Sequence, residues 1–197
     1  THPDLVDRIV GSYNAIPYDP ANINGAADGC DTSVDPNCED VQYVLPDAFS
    51  HGTHVAGTIL ASDNGLGTIG VAPEADLLMV KVLSEVIGSG DFDWVLDGVI
   101  WAVDNGADVI NMSLGSGPIP RADAQELLQA VNRAMTYASN NNVLVVVSAG
   151  NDSFDGNDSN FVILPAGGVN TVTVSSTGAI GWAVSPATDG IHPFGLH

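Results

Sequence analysis

Basic residues are scarce in this sequence: 4 Lys and Arg stand against 24 Asp and Glu, which gives a formal net charge of −20. A field of that sign repels phosphate backbones and therefore excludes nucleic acid as a partner. Charged residues of all kinds make up only 14% of the chain, whereas 45% of the residues are hydrophobic. Disordered acidic chains are poor in apolar residues, so this composition indicates a compact domain.

Long apolar runs are also absent. The run Val143–Val147 is far shorter than the roughly 18 residues that a membrane-spanning helix requires, so no membrane span is expected. No initiator Met and no signal peptide are visible at Thr1–Leu5. We expect both ends to be cuts inside a larger domain, with a mature chain made by processing as the alternative.

Cysteine occurs only twice, as Cys30 and Cys38 within a stretch of turn-forming residues. In an acidic chain that is poor in Lys, this spacing favours a disulfide and an oxidising compartment. Closing so short a loop would stabilise the fold by roughly 2.5 kcal/mol. Two free thiols in a cytosolic protein are the alternative. Zinc is disfavoured because no His lies nearby to complete a ligand set.

Strand-length apolar segments alternate with amphipathic helical patterns along the chain. Residues 11–50, rich in turn formers, are predicted as loops around at most one short strand, Val41–Leu45. Strands that are apolar on both faces and separated by helices predict an α/β doubly wound fold with a mostly parallel sheet and helices on both faces. Asp91 is a candidate helix N-cap and Gly106 a helix stop. The predicted strands are Ala75–Leu83, Asp108–Leu114, Val143–Ser148 and Thr171–Ser175, and the predicted helices are Asp91–Asn105 and Ala122–Asn140.

The segment Ser50–Thr58, which contains His51 and His54, is the most informative part of the sequence. Two His three apart on one helix face could form a metal pair, but Gly52 stands where the metalloprotease pattern requires Glu. A His at the exposed start of a helix could act as a general base. Two core histidines are the remaining alternative.

The string HGTHVAGT in this segment resembles the histidine motif of the subtilisin-like serine proteases, or subtilases. Further segments resemble motifs of that family in the same order along the chain, over nearly all of residues 1–175. Thr1–Leu5 is similar to the segment after the catalytic aspartate, and Gly70–Pro73 is similar to the turn before a core strand. Asn111–Gly115 is similar to the substrate-binding strand, and Ser148–Asn151 is similar to the oxyanion-hole motif.

The resemblance implies a role for each matching residue. His51 would accept the proton of a serine hydroxyl and return it to the leaving amine. Asn151 would donate a side-chain hydrogen bond to the developing oxyanion. The other implied positions bind the substrate: Ser113, Leu114 and Gly115 would pair their backbone with an extended peptide, and Ala149 and Gly150 would form a second wall of the specificity pocket.

The resemblance also implies a structural Ca²⁺ ion. Hard oxygen ligands on a flexible loop suit this cation. Two weaker leads are a turn at Asp31–Asn37 that alternates like a calcium loop, and Leu164–Ala166, similar to a family segment with a cis peptide near a second cation site. The implied ligands of the first site are the side chains of Asp4 and Asn64 and the carbonyls of Ser62, Leu66 and Thr68.

Two parts of the family's catalytic triad do not match anything in the sequence. The G-T-S-x-A string that carries the nucleophile does not occur, and the aspartate would precede Thr1. We therefore expect residues 1–197 to be the central part of a subtilase catalytic domain, truncated at both ends and inactive alone. The parent would be a secreted, calcium-stabilised serine endopeptidase.

Two other functions are compatible with the sequence: a catalytically dead subtilase-fold module that binds peptides, and a structural calcium-binding domain. The expected partners are a polypeptide substrate and the protein's own pro-segment, and the expected state is a monomer. The acidic surface predicts a preference for neutral or basic side chains near the scissile bond.

Overall fold

The computed structural model describes residues 2–17, 50–84, 88–152, 154–156 and 158–176. These residues belong to two compact units, Thr1–Ala107 and Asp108–His197. Within the described residues, no helix is long and apolar enough to cross a membrane. The expected strand Val41–Leu45, the turn at Asp31–Asn37 and the two cysteines lie outside these residues.

The first unit pairs two parallel strands, β1 (Ile9–Asn14) and β2 (Leu77–Lys81). It also contains helix α1 (His51–Leu60) and helix α2 (Phe92–Asp104), and α2 packs against both strands. The predictions for β2 and α2 are confirmed, to within two residues at each end of the strand and one residue at each end of the helix. Strand β1 was missed, because the prediction assigned residues 11–50 to loops.

Strand β1 is short of apolar residues, and tertiary contacts decide its structure. Tyr13 stacks on Trp101 of α2, with ring centroids 5.3 Å apart and planes at 7°. A Cβ on Gly11 would lie 2.9 Å from Leu78 and 3.5 Å from Trp101. The absence of a side chain at Gly11 therefore allows the strand to approach its partner strand and the helix closely.

Both ends of α2 lie where the sequence places them. Asp91 occupies the N-cap position in an extended conformation, which confirms the predicted N-cap, although its side chain makes no capping hydrogen bond. Its carbonyl accepts a 3.3 Å bond from the backbone N–H of Val95. After the helix, Gly106 adopts a φ of +84°, which an L side chain rarely adopts, and the predicted stop is confirmed.

The second unit contains a parallel three-stranded sheet in the order β3 (Val109–Met112), β5 (Leu144–Ser148) and β7 (Thr171–Val174). Helix α3 (Gln125–Asn140) packs against β5. It starts three residues later than predicted, because backbone bonds from Asp123 and Ala124 to the carbonyl of Pro120 form a turn there. A short antiparallel pair, β4 (Ile119–Pro120) with β6 (Phe161–Val162), was not predicted.

The core of this unit lies between α3 and one face of the sheet. Its fully buried side chains are Val131 and Met135 on the helix and Val145 on β5. The opposite face exposes Val109 and Leu144, which are directly paired across β3 and β5. Parallel strands alternating with helices confirm the predicted α/β class with mostly parallel sheets.

Candidate active site

His51 is the first residue of α1 and is exposed. Ser50 at the N-cap has a φ of 55°, and its carbonyl accepts a 3.0 Å bond from the backbone N–H of His54. His54 is exposed as well, so neither residue is a core histidine. Among the described residues, no group of three or more His, Cys, Asp or Glu could hold a metal ion.

The position of α1 is fixed at its other end by the segment Gly70–Ala72. Gly70 donates a 2.9 Å backbone bond to Ala61, and Ala72 donates a 2.7 Å bond to Ile59. A Cβ on Gly70 would lie 2.5 Å from the backbone nitrogens of both Leu60 and Ala61. Only glycine can approach so closely, which explains why this motif residue belongs here.

In the second unit, two predicted site segments follow adjacent parallel strands. Met112, the last residue of β3, is paired with Val147 near the end of β5. Residues 113–115 and 149–151 therefore leave the sheet at the same edge, where chemistry gathers in α/β folds. The structure thus brings the implied peptide-binding and oxyanion residues together, while His51 belongs to the first unit.

The segment after β3 is held by side chains and by a neighbouring loop. Ser148 Oγ donates a 3.2 Å bond to the carbonyl of Leu114, and Asn111 Nδ2 donates a 3.1 Å bond to Ser113 Oγ. The Leu114 carbonyl is therefore already engaged within the chain. A Cβ on Gly115 would lie 3.2 Å from the carbonyl oxygen of Leu164, so this position needs a small residue.

Leu164 fixes the same segment from the other side. Its carbonyl accepts a 2.7 Å bond from the backbone N–H of Ser116, and its own N–H donates a 3.0 Å bond to Ser116 Oγ. The Leu164–Pro165 peptide is cis, as the resemblance implied. This reciprocal pair sets the course of the chain after Gly115.

The segment after β5 presents Asn151 at the surface. Ala149 donates a 2.9 Å backbone bond to Val174 of β7, which extends the sheet by one residue. Gly150 then turns the chain with a φ of 99°, and Asn151 follows as an exposed residue. An amide donor in this place could reach an anionic oxygen of a bound ligand.

Asp152 also lies beside the predicted site segments, although the sequence did not single it out. Its Oδ2 atom lies 3.9 Å from the place of a Cβ on Gly117 and 4.0 Å from that of a Cβ on Gly150. The carboxylate thus lies beside the gap between the two predicted substrate-binding segments. The only sequence signal was its position directly after Asn151.

Three of the implied calcium ligands of the first unit, Asp4, Ser62 and Asn64, lie together. Asn64 Nδ2 contacts Asp4 Oδ1 at 2.8 Å, and Ser62 Oγ donates a 2.9 Å bond to the carbonyl of Asp4. Asn64 Oδ1 accepts a 2.9 Å bond from the N–H of Leu66. The loop then continues to Thr68. A carboxylate, an amide oxygen and loop carbonyls form a hard donor set, so the residues present fit Ca²⁺.

Comparisons with known proteins agree with these features. The model of the subtilase family, Peptidase_S8, matches residues 1–190. The chain is 41% identical over 157 residues to an intracellular serine protease of Paenibacillus polymyxa, covering 80% of this chain and 39% of that protein. It is 42% identical over 158 residues to the major intracellular serine protease of Bacillus subtilis (strain 168), covering 80% and 41%. Subtilisin E of the same organism is 39% identical over 155 residues, covering 79% and 36%.

Among solved structures, the epidermin leader peptide processing serine protease of Staphylococcus aureus superimposes with a TM-score of 0.69 at 28% identity, covering 90% of this chain and 43% of that one. A lanthipeptide protease gives a TM-score of 0.61 at 27% identity, covering 89% and 44%. The chain spans about two fifths of the length of the curated relatives it matches. The family match, the order of the motifs and the placement of their residues lead to one conclusion: the chain belongs to the subtilase family.

Proposed function

We propose that this chain supplies the central part of the catalytic domain of a subtilisin-like serine endopeptidase, which hydrolyses peptide bonds through an acyl-enzyme. The observation that carries the proposal is the shared sheet edge at which residues 113–115 and 149–151 follow the paired strands β3 and β5. An extended peptide bound along the first segment would carry its scissile carbonyl towards the amide of Asn151.

Each polar residue has a defined task in this proposal. His51 at the exposed start of α1 acts as the general base and then as the general acid. Asn151 stabilises the oxyanion that forms only in the transition state. Removal of such a donor costs about 2.7–4 kcal/mol of transition-state stabilisation, a value measured in a subtilisin, that is, in this same family.

Residues 1–197 supply neither the nucleophile nor the aspartate of the triad, since no G-T-S-x-A string occurs among them and the resemblance places the aspartate before Thr1. The chain alone should therefore bind peptides without hydrolysing them. This same observation favours a second candidate function, a subtilase-fold module that binds peptides without catalysis. The two functions differ in whether the complete protein brings a reactive serine to His51.

Calcium has a structural task in the proposal. Asp4 and Asn64 would hold the ion by their side chains, and Ser62, Leu66 and Thr68 by their carbonyls. The ion would join the start of the chain to the loop after α1. Because a ligand that binds only the folded state stabilises it, removal of Ca²⁺ should lower the free energy of unfolding.

Secretion, a Cys30–Cys38 disulfide, a pro-segment and a monomeric state belong to the same proposal. The short cysteine spacing in an acidic, Lys-poor chain supports the first two. Two relatives are named intracellular serine proteases, and those names indicate that these two proteins act inside the cell. Thiol titration of the unfolded chain, before and after reduction, tests the disulfide: two thiols without reduction would contradict it.

A chimera tests the activity. Residues 1–197 replace the matching region of the Bacillus subtilis major intracellular serine protease, so that the relative's flanking segments supply the aspartate and the serine. We expect a fluorophosphonate probe to label the chimera and a chromogenic peptide to be hydrolysed. His51→Ala should abolish both, whereas His54→Ala, an exposed residue on the same helix, should leave both largely unchanged.

The outcomes separate the candidates. Turnover that depends on His51 supports the endopeptidase. A folded chimera that binds the peptide but is neither labelled nor active supports the binding module. Equal activity of the His51→Ala variant and the unmodified chimera would contradict the proposed mechanism.

A further inference from the structure

Two Asn–Gly pairs lie in the described part of the chain, Asn64–Gly65 in the loop after α1 and Asn105–Gly106 at the end of α2. All four residues are exposed, and both glycines have a positive φ, 78° at Gly65 and 84° at Gly106. Asn is a thermolabile residue. A following Gly has no side chain that hinders attack of its backbone nitrogen on the Asn carboxamide. The two pairs therefore share one covalent chemistry, and their hydrogen bonds decide how readily each reacts.

The attacking nitrogen is held in one pair and not in the other. The N–H of Gly106 donates a 3.2 Å bond to the carbonyl of Val103, and the N–H of Asn105 donates a 3.0 Å bond to that of Trp101. No residue of the described chain accepts a hydrogen bond from the N–H of Gly65. The end of α2 therefore restrains the nitrogen of Gly106, whereas the loop after α1 leaves that of Gly65 available.

The hydrogen bonds of Asn64 engage only the two end atoms of its carboxamide. Oδ1 accepts a 2.9 Å bond from the N–H of Leu66, and the ring that this bond closes contains both Cγ of Asn64 and the nitrogen of Gly65. Nδ2 donates a 2.8 Å bond to Asp4 Oδ1. The N–H of Leu66 can stabilise the negative charge that develops on Oδ1 when Cγ is attacked. The two atoms that would join are both unengaged.

We propose that Asn64–Gly65 is a site of spontaneous covalent modification by deamidation. The backbone nitrogen of Gly65 forms a bond to Cγ of Asn64, and the bond between Cγ and Nδ2 breaks. Nδ2 leaves as ammonia and takes the proton of the Gly65 N–H. One water molecule then opens the resulting succinimide at either carbonyl, which leaves aspartate or isoaspartate at position 64. The net change converts a neutral carboxamide and water into a carboxylic acid and ammonia.

The modification would alter the contact between this loop and the start of the chain. The 2.8 Å bond from Asn64 to Asp4 requires the N–H donor that deamidation removes. A carboxylate in its place would face a second carboxylate, and like charges at this distance repel. The Asn64→Asp variant represents one of the two products. In the presence of a chelator it should unfold at a lower denaturant concentration than the original chain, and equal midpoints would overturn this consequence.

Peptide mapping by mass spectrometry measures the modification at each pair. The 197-residue chain is incubated with a chelator, both native and in denaturant. The chimera described above is treated in the same way, with His51→Ala to prevent self-digestion, so that the loop is also tested within a complete domain. In denaturant the two pairs should react at similar rates. In the native state the ratio of Asn64 to Asn105 conversion should rise about 10-fold, because backbone bonds at the end of α2 must open before Gly106 can react.

The variant Asn64→Gln serves as the control for assignment, because its longer side chain would have to close a larger ring, and it should show no conversion at this position. Isoaspartate at position 64, together with uptake of heavy oxygen from labelled water, supports the proposal. Equal conversion of the two pairs in the folded chimera overturns it. Aspartate without any isoaspartate also overturns it, because direct hydrolysis gives aspartate alone. The readout is mass and not turnover, so the result is independent of whether the proposed function holds.

Discussion

Asn64 donates a 2.8 Å side-chain hydrogen bond to Oδ1 of Asp4, although the two residues lie 60 positions apart in the sequence. Ser62 Oγ contacts the carbonyl of Asp4 at 2.9 Å, so side chain and main chain of Asp4 are both bound by one loop. The contact links the start of the chain to the loop that follows α1. The free energy of unfolding of this unit should therefore depend on contacts between residues that are far apart in the sequence.

Replacing Asn64 by Ala removes this bond together with the bond that its Oδ1 accepts from Leu66. A hydrogen bond to a charged group contributes about 1.5–3 kcal/mol, and we expect a loss of that size in the free energy of unfolding. Added Ca²⁺ should raise the melting temperature of the original chain and have much less effect on the Asn64→Ala variant. Denaturant and thermal unfolding, each with Ca²⁺ and with a chelator, measure both effects.

Asp63→Ala is the matched control, because Asp63 is an exposed neighbour in the same loop and no described contact involves its side chain. It should alter the free energy of unfolding by no more than about 0.5 kcal/mol. An equal response of the Asn64→Ala variant and the original chain to Ca²⁺ would contradict a calcium site here.

Replacement by Ala should have opposite effects on the free energy of unfolding at Gly70 and at Gly57. A Cβ on Gly70 would lie 2.5 Å from backbone nitrogens of α1, so Gly70→Ala must displace backbone and should cost at least about 1–3 kcal/mol. A Cβ on Gly57, within α1, would meet nothing within 4 Å. Gly57→Ala should stabilise by up to about 1 kcal/mol, because Ala favours a helix. Denaturant unfolding measures both, and a neutral Gly70→Ala variant would show that Gly70–Ala72 does not fix α1.

The elements that the sequence predicts well are those whose apolar pattern coincides with burial. Val145 and Val147 are buried on β5, and the stripe containing Val131 and Ala134 faces the core from α3. Strand β1 was missed because its structure depends on pairing with β2 and on stacking of Tyr13 against Trp101. A local sequence pattern does not reveal a partner strand or a stacking partner that lies far away in the sequence.

The candidate site also contains some features that the sequence predicts and others that it does not. Residues 113–115 and 149–151 were assigned through motifs, and their placement at one sheet edge follows from parallel strand order. The direction of the Asp152 side chain towards Gly117 could not be predicted, because it depends on how the chain turns after Gly150. The calcium ligands could be named only through the family resemblance, since their spacing alone carries no recognisable motif.

Arg121 clamps the short antiparallel pair of the second unit. Its Nε donates a 3.2 Å bond to the carbonyl of Ser159, and its second guanidinium nitrogen donates a 3.3 Å bond to that of Phe161. Arg121→Ala should cost about 1–3 kcal/mol and increase amide exchange around residues 158–162. Arg121→Lys should recover little, because an ammonium lacks the planar fork. Arg133→Ala, on an exposed position of α3, should stay within about 0.5 kcal/mol of the original chain, and an equal loss there would contradict the clamp.

Met135 is the largest side chain of α3 that is fully buried, with 0% of its surface exposed. Met135→Ala leaves a cavity against the sheet and should lower the free energy of unfolding by about 2–5 kcal/mol. Met135→Leu nearly conserves the volume and should cost less than about 1.5 kcal/mol. Glu126→Ala, on an exposed position of the same helix, serves as the control and should be close to neutral. Denaturant unfolding measures the free energy of unfolding of the three variants, which can be compared if the dependence of that free energy on denaturant concentration is the same in all of them. If Met135→Ala costs no more than Glu126→Ala, then the interface between α3 and the sheet does not carry the stability of this unit.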